Sequence, residues 1–86
     1  MRISEHAVDR FAERVYKTGT TCKSPRRALG RRLRAFAEKG CQTRRFDDGI
    51  SIRQYKGLEM VLRGDLVLTV YVKDESFAER ERRRGW

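Results

Sequence analysis

The spacing of apolar positions changes near residue 40, from a repeat of about 3.6 residues to a repeat of about two. Between residues 4 and 17 the apolar side chains fall within one arc of about 140° on a helical wheel, as expected for a helix that packs on a core. These positions are Ala7, Val8, Phe11, Ala12 and Val15. The hydroxyl of Ser4 can accept a hydrogen bond from an amide of the first turn, as N-cap residues do. The pattern therefore predicts a first helix over about residues 4–17.

A second helix is marked by residues at both of its ends. Ser24 is a suitable N-cap, Pro25 takes the first helical position, where its missing amide costs nothing, and Gly40 follows the last turn. Its apolar stripe consists of Leu29, Leu33, Phe36 and Ala37. These signals predict a helix over about residues 25–39.

After Gly40, short runs of β-prone residues alternate with turn signals. The turn signals are Asp47-Asp48-Gly49, Lys56-Gly57 and Gly64-Asp65. They separate four predicted strands, near residues 41–46, 50–55, 58–63 and 66–73. Connections this short favour an antiparallel meander, because a parallel crossover needs about a dozen or more residues.

Alternation along these strands divides their side chains between a face that packs on the helices and an open face. The residues expected to face the helices are Ile50, Ile52, Leu58, Met60, Leu62, Leu66, Leu68, Val70 and Val72. The residues expected on the open face are Ser51, Arg53, Tyr55, Glu59, Val61, Arg63, Val67, Thr69 and Tyr71. The predicted fold is α+β, with two N-terminal helices packed on one face of a four-stranded antiparallel sheet. The tail over residues 74–86 is rich in arginine and compatible with a short C-terminal helix.

The size and composition of the chain exclude several classes of protein. A chain of 86 residues and 10.2 kDa has room for one compact domain, which we place over residues 1–86. No apolar run approaches the roughly 20 residues that span a bilayer, and the first residues contain no apolar stretch that would act as a secretion signal. We therefore expect a cytoplasmic protein without a membrane partner.

The net charge of +9 is concentrated in residues 17–45, where only Glu38 opposes the lysines and arginines. On a helical wheel Arg27, Arg31 and Arg34 lie almost opposite the apolar stripe of the second helix, so we expect an exposed basic face. Arginine clusters suit the phosphates of nucleic acid, and affinity for about five phosphates would fall steeply with salt. A solvated face without a ligand is the alternative. The candidate nucleic-acid contacts are Lys23, Arg26, Arg27, Arg31, Arg32, Arg34, Arg44, Arg45 and Arg53.

His6 is the one histidine of the chain, so acid–base chemistry near neutral pH would fall to it. On the first helix it shares an arc of about 80° with Arg10, Arg14 and Lys17. The alternative is a solvated polar face whose carboxylates pair with these cations. On the last strand Thr69 and Tyr71 could hydrogen-bond a phosphate or stack on a base, although both residue types are also common in strands.

The two cysteines do not predict a disulfide or a metal site. Cys22 and Cys41 bracket the second helix, which spans about 22 Å, whereas bridged Cα atoms lie within about 7 Å of each other. With one histidine and no Cys-x-x-Cys pair, the chain also lacks the ligands of a structural zinc site. We expect no metal and no cofactor.

Two segments resemble a known group of proteins. Residues 3–14, Ile-Ser-Glu-His-Ala-Val-Asp-Arg-Phe-Ala-Glu-Arg, and residues 66–71, Leu-Val-Leu-Thr-Val-Tyr, carry the similarity. They resemble the His-Ala-x-x-Arg-x-x-x-Arg opening and the closing apolar Thr-x-Tyr strand of small domains in the barnase/EndoU/colicin/RelE-like superfamily. Members of that group are mostly toxin or effector RNases with one or two N-terminal helices on a four-stranded antiparallel sheet. The matched motifs cover about 18 of the 86 residues.

The resemblance implies an active site formed by His6, Arg10 or Arg14, Thr69 and Tyr71. In the chemistry of that group, the RNA 2′-OH attacks the adjacent phosphate and yields a 2′,3′-cyclic phosphate and a free 5′-OH without a metal. His6 would be the base, an arginine would stabilise the charge on phosphorus, and Thr69 would position a phosphate oxygen. Because a second histidine is missing, the acid would be Tyr71, a lysine or water. A toxin also implies a cognate antitoxin or a host protein as a partner.

Three functions therefore remain open at the level of sequence. The leading one is an RNA-directed, metal-independent endoribonuclease of toxin type. The main rival is a non-catalytic binder of nucleic acid or nucleoprotein, such as a small phage or mobile-element inhibitor, that uses the arginines of the second helix. The third is a protein-interaction module whose arginines meet an acidic surface. Catalysis would require His6, whereas binding would require the arginines.

Overall fold

The computed structural model describes residues 1–16 and 26–83, with Arg26 described for its backbone only. The strands are β1 (Arg2–Ile3), β2 (Cys41–Arg45), β3 (Ile50–Tyr55), β4 (Leu58–Arg63) and β5 (Leu66–Val72). The helices are α1 (Glu5–Phe11), which continues as a π-helical segment over Ala12–Tyr16, α2 (Arg26–Lys39) and α3 (Glu75–Arg83). Several predicted features lie outside the described residues: Lys17, Cys22, Lys23, Ser24, Pro25, the side chain of Arg26 and residues 84–86.

The predicted α+β class is confirmed, but the sheet has five strands and mixed pairing rather than four antiparallel strands. The strand order is β1-β5-β4-β3-β2. The pairs β2–β3, β3–β4 and β4–β5 are antiparallel, and β1 is parallel to β5. Hydrogen bonds that hold the extra strand run from the Arg2 amide to the Asp65 carbonyl (2.8 Å) and from the Ser4 amide to the Val67 carbonyl (3.0 Å). Two residues are too few for a periodic signal, so the sequence pattern could not reveal β1.

Local signals located most of the other elements within a residue or two. Strands β3 and β4 have the predicted bounds, and β2 and β5 each end one residue earlier than predicted. Ser4 is the N-cap of α1, because its Oγ accepts the amide of Ala7 at 3.0 Å. The short C-terminal helix is present as α3, which buries Phe77 and Ala78.

The hydrophobic core lies between the helices and one face of the sheet. Phe36 of α2 is at its centre: its ring stacks on Tyr55 at 5.2 Å between centroids and meets Phe11 and Phe77 edge to face at 6.0 and 5.8 Å. The other buried members come from α1 and its π-helical continuation, α2, β4, β5 and α3. Helices and sheet thus share one core.

Strand β3 faces the opposite way from the prediction. The register places Arg53 beside Met60 and Tyr55 beside Leu58, and both partners on β4 are fully buried under the helices. Tyr55 therefore reaches the core, and Arg53 Nη1 donates to the Ala37 carbonyl at 2.9 Å. Ile50 and Ile52 lie half-buried on the open face instead. Alternation determines which residues share a face, but it does not determine which face meets the helices.

The register of β5 shifts partway along the strand. Leu62 pairs with Val67, whereas Val61 pairs with Thr69, so Leu68 is an extra residue in the ladder. The shift turns Val67 into the core, where it is fully buried, and places Leu66 on the open face beside Arg63, both contrary to the prediction. Beyond the shift the prediction holds: Val70 is buried and Tyr71 is exposed.

The length and hydrophobicity of the helices bear on membrane association. Among the described residues, no helix combines enough length with enough apolar character to cross a lipid bilayer.

Candidate functional site

Arg14 and Tyr71, two of the five predicted catalytic residues, are in contact. Arg14 lies in the π-helical segment after α1, whose wider turns rotate it relative to a continuous α-helix. Its Nη1 donates to the Val70 carbonyl at 2.7 Å, and its guanidinium carbon lies 4.6 Å from the centroid of the Tyr71 ring. The segment is anchored from α3, since Arg82 Nη1 donates to the Val15 carbonyl at 2.8 Å. Helix and strand thus hold the Arg14–Tyr71 contact from both sides.

An open cleft of about 530 Å³ lies beside this contact. It is lined by Glu13, Arg14, Tyr71, Val72 and Glu75. Glu13 accepts a hydrogen bond from Arg10 at 2.7 Å, and Glu75 accepts one from Arg82 at 3.4 Å. One of the five N–H donors of Arg14 is used on Val70, so the others are available to an anionic group that enters the cleft. The two carboxylates on the rim weaken the attraction that the cleft exerts on a phosphate.

The remaining predicted catalytic residues are not joined to this pair. His6 is exposed in the first turn of α1, and Thr69 is half-buried on the open face of β5. Within residues 1–16 and 26–83, no hydrogen bond or ion pair connects His6 or Thr69 to Arg10, Arg14 or Tyr71. Within these residues the structure therefore shows no direct bond from the base or the phosphate-positioning hydroxyl of the expected mechanism to the arginine or the phenol.

The second group of predicted residues forms an exposed face on α2. Arg27, Arg31 and Arg34 are exposed and lie within about 60° of one another around the helix axis. Glu38 shares this face and pairs with Arg34 at 3.5 Å, with about half of each side chain exposed. The face therefore carries more positive than negative charge.

Arg32 is on the same helix but serves the interior of the fold. Its Nη2 donates to Glu81 Oε2 of α3 at 2.5 Å, and Glu81 is 6% exposed. Burial by itself lowers the pKa of Arg32, but the hydrogen bond to Glu81, together with the charges of Glu81 and Tyr16, outweighs it, so the pKa is raised. Arg53 likewise donates to the α2 backbone. We leave Arg32 and Arg53 out of the candidate interface because their guanidinium groups already have partners in the fold.

Arg44 and Arg45 lie at the end of edge strand β2, beside Phe46, a residue that the sequence analysis did not single out. The Arg44 guanidinium carbon is 5.4 Å from the centroid of the Phe46 ring, which is 42% exposed. Arg45 and Phe46 line a second open cavity of about 390 Å³ with Asp47 and Gly49. The available signal was an aromatic residue set between two arginines and an Asp-Asp-Gly turn, at a position where burial is not expected.

Two further kinds of group, metal ligands and thiols, bear on the chemistry of the described part of the chain. No group of three or more His, Cys, Asp or Glu side chains within it is placed to hold a metal ion. Cys41 is an exposed free thiol at the start of β2.

No protein-family model matches this chain, and no significant match was found among curated proteins or solved structures. The geometry described above and the two resembling segments are therefore the basis on which a function can be inferred.

Proposed function

We propose that this protein binds RNA, with the arginine face of α2 as its main contact. The observation that carries the proposal is the alignment of Arg27, Arg31 and Arg34 on one exposed face of α2, a helix whose one acidic residue is Glu38. An RNA strand offers one phosphate per nucleotide, and an arginine can hold a phosphate through two parallel hydrogen bonds. Each neutralised phosphate releases counterions, which makes binding strongly dependent on salt.

The location of the charge supports a polyanion rather than a small anion as the ligand. All of the net charge of +9 lies in residues 17–45, the segment that contains α2 and β2. Such a surface raises the local concentration of a polyanion and speeds its association. RNA is favoured over duplex DNA because Tyr71 is 44% exposed on the open sheet face, where it could stack on an unpaired base.

A salt titration of RNA binding tests this proposal. We expect the triple variant Arg27→Gln/Arg31→Gln/Arg34→Gln to bind a mixed-sequence RNA far more weakly than the wild type. The slope of log K against log[salt] should become shallower by about 2, since each phosphate on a single strand contributes about 0.7. Glutamine keeps a good helix former at each position, so α2 should remain folded.

The matched control removes the same charge elsewhere. Lys73, Arg80 and Arg83 are exposed at the end of β5 and on α3, and their triple replacement by glutamine also lowers the net charge by three. We expect this control to retain most of the affinity and of the salt slope. Equal losses in the two variants would mean that binding follows net charge alone, and the proposed face would be wrong.

Metal-independent cleavage of RNA is the second candidate, and the Arg14–Tyr71 contact beside the cleft favours it. In this reaction His6 would take the proton of the 2′-OH as the 2′-oxygen bonds to phosphorus. Arg14 would stabilise the charge on the phosphorane, and the bond to the 5′-oxygen would break as Tyr71 supplies a proton to that oxygen. Cleavage ranks second because, within the described residues, no hydrogen bond or ion pair joins His6 to the Arg14–Tyr71 pair.

The two candidates are separated by incubating a labelled RNA with the protein in EDTA. Fragments with 2′,3′-cyclic phosphate ends that disappear with an identically purified His6→Ala variant would establish the nuclease and its base. RNA that stays intact but shows a salt-sensitive mobility shift would leave RNA binding as the function. If the RNA is neither cleaved nor shifted, both candidates are contradicted, and an acidic protein is favoured as the partner.

A further inference from the structure

The tip of the β2–β3 hairpin displays an aromatic ring on the open face of the sheet. Arg44 pairs with Ile52 on that face, and Phe46, two residues further, lies on the same side with its ring beneath the Arg44 guanidinium. Phe46 and Tyr71 are the large hydrophobic residues exposed within the described part of the chain. Phe46 therefore does not contribute to the core, and its exposure needs another explanation.

Hydrogen bonds brace the hairpin turn that carries this ring. The Phe46 amide donates to the Ile50 carbonyl at 2.8 Å, and the Ile50 amide donates to Asp48 Oδ1 at 3.3 Å. Gly49 has a φ of 85°, which the turn requires and which other residues rarely adopt, and its carbonyl accepts the Gly64 amide at 3.1 Å. A ring presented on a braced turn loses little conformational freedom when a ligand stacks on it.

The charges around the ring indicate which part of a nucleotide would approach it. The Arg44 guanidinium lies over the ring, Arg45 lines the cavity, and both can hold phosphates, whereas Asp47 lines the cavity beside Phe46 and would repel one. A carboxylate instead accepts hydrogen bonds from the N–H groups on a base edge, and every base offers a π-face to an aromatic ring. A base in the cavity with its phosphates toward the arginines satisfies both kinds of side chain.

We propose that Phe46 is a stacking position for an unpaired base and that the RNA bound at this corner of the sheet is single-stranded. The inference rests on the proposed RNA-binding function and names the form of RNA that the protein takes. The α2 arginines and Phe46 lie on opposite sides of the sheet, so an RNA strand that contacts both would pass around edge strand β2, which begins two residues after the end of α2 and extends for about 17 Å.

The test compares Phe46→Leu with the wild type on a single-stranded RNA and on the same sequence annealed into a duplex. Leucine keeps an apolar side chain but has no π-face, so we expect affinity for the single strand to fall roughly 5- to 100-fold. Affinity for the duplex and the salt slope should not change, because the arginines are intact. The thermal midpoint should also stay the same, since Phe46 is outside the core.

A second variant reports on stacking directly. Trp86 is the one tryptophan of the chain, so Trp86→Phe/Phe46→Trp carries a single tryptophan at the hairpin tip. We expect it to keep the affinity for single-stranded RNA, and its fluorescence should be quenched by the single strand but not by the duplex.

The outcomes separate the two proposals. If Phe46→Leu binds both RNAs like the wild type, or weakens both equally, the stacking position is wrong, while loss of binding in the α2 triple variant would still support the interface. If bound single-stranded RNA does not quench the fluorescence of the Trp86→Phe/Phe46→Trp variant, the stacking position is also wrong. A wild type that binds neither RNA overturns both proposals.

Discussion

Arg32 and Glu81 join α2 to α3 through a hydrogen bond of 2.5 Å between Nη2 and Oε2. Glu81 is 6% exposed, and it is the charged residue that the described part of the chain buries most deeply. A buried carboxylate is stable only when it is paired, because removal of one partner leaves an uncompensated charge. The position of α3, and with it the arginine that holds the π-helical segment, therefore depends on this pair.

Replacing either partner of this pair should destabilise the fold by about 3 kcal/mol. Arg32→Met and Glu81→Leu each leave a buried charge, whereas the double variant Arg32→Met/Glu81→Leu should recover most of the loss. Urea unfolding of the four proteins measures the free energy of unfolding in each. Because the pKa of Arg32 is raised, its contribution to stability is complete below the ordinary pKa of arginine and is lost only as the pH rises through the raised value. Additive losses in the double variant would show that the two residues act independently.

Gly57 should not tolerate a side chain. A Cβ at this position would lie 2.6 Å from Asp74 Cβ and 2.8 Å from Phe77 Cβ, at the point where β5 turns into α3. The Gly57 carbonyl also accepts the amide of Lys73 at 2.7 Å and that of Asp74 at 3.2 Å. We expect Gly57→Ala to lower the free energy of unfolding by about 2 kcal/mol or more.

Gly30 in α2 provides the matched control for this change. The nearest atom to an added Cβ there is Val8 Cγ2 at 3.8 Å, an ordinary contact, and Gly30 lies inside the helix. Gly30→Ala should raise the free energy of unfolding by about 0.5 to 1 kcal/mol, because alanine is the better helix former. The denaturation midpoints of the two variants should thus move in opposite directions, and equal shifts would contradict the packing around Gly57.

Removal of the carboxylate on the α2 face should strengthen RNA binding. Glu38 pairs with Arg34 at 3.5 Å, so Glu38→Gln frees that guanidinium for a phosphate. The salt slope should steepen by about 0.7, which corresponds to one more phosphate contact on a single strand. Glu79→Gln is the control, since Glu79 makes an equivalent i,i+4 pair with Arg83 on α3. If both variants gain equally, the effect comes from net charge and not from the α2 face.

The Arg14–Tyr71 contact allows structural and chemical roles of the phenol to be distinguished. Tyr71→Phe keeps the ring under the Arg14 guanidinium, so its free energy of unfolding should match that of the wild type. Tyr71→Leu removes the ring and should cost about 0.5 to 1 kcal/mol, as measured by urea unfolding. If the protein cleaves RNA with Tyr71 as the acid, Tyr71→Phe should lose cleavage without losing stability. Cleavage at the wild-type rate by Tyr71→Phe would exclude the phenol from that role.

Part of the candidate site was predictable from the sequence because it depends on local order. The exposure of Arg27, Arg31 and Arg34 follows from their position on the helical wheel relative to the apolar stripe of α2. The partners of Arg32 and Arg53 were not predictable in this way, because Glu81 lies 49 residues from Arg32 and Ala37 lies 16 residues from Arg53. That Arg32 and Arg53 do not belong to the interface follows only from the packing of α3 and β3 against α2.

Residue spacing along the chain was enough to predict the features with a local signal: α2, the bounds of β3 and β4, and the basic helix face. Packing in three dimensions set which side of β3 meets the helices, because alternation is the same for both sides and the contacts of Tyr55 with Phe36 and of Arg53 with the Ala37 carbonyl distinguish them. It also decided the parallel pairing of β1, the register shift at Leu68 and the exposure of Phe46. The orientation of β3 and the pairing of β1 depend on partners that are distant in the chain. The shift at Leu68 and the exposure of Phe46 depend on how the strands pair and pack, which no spacing within one segment encodes.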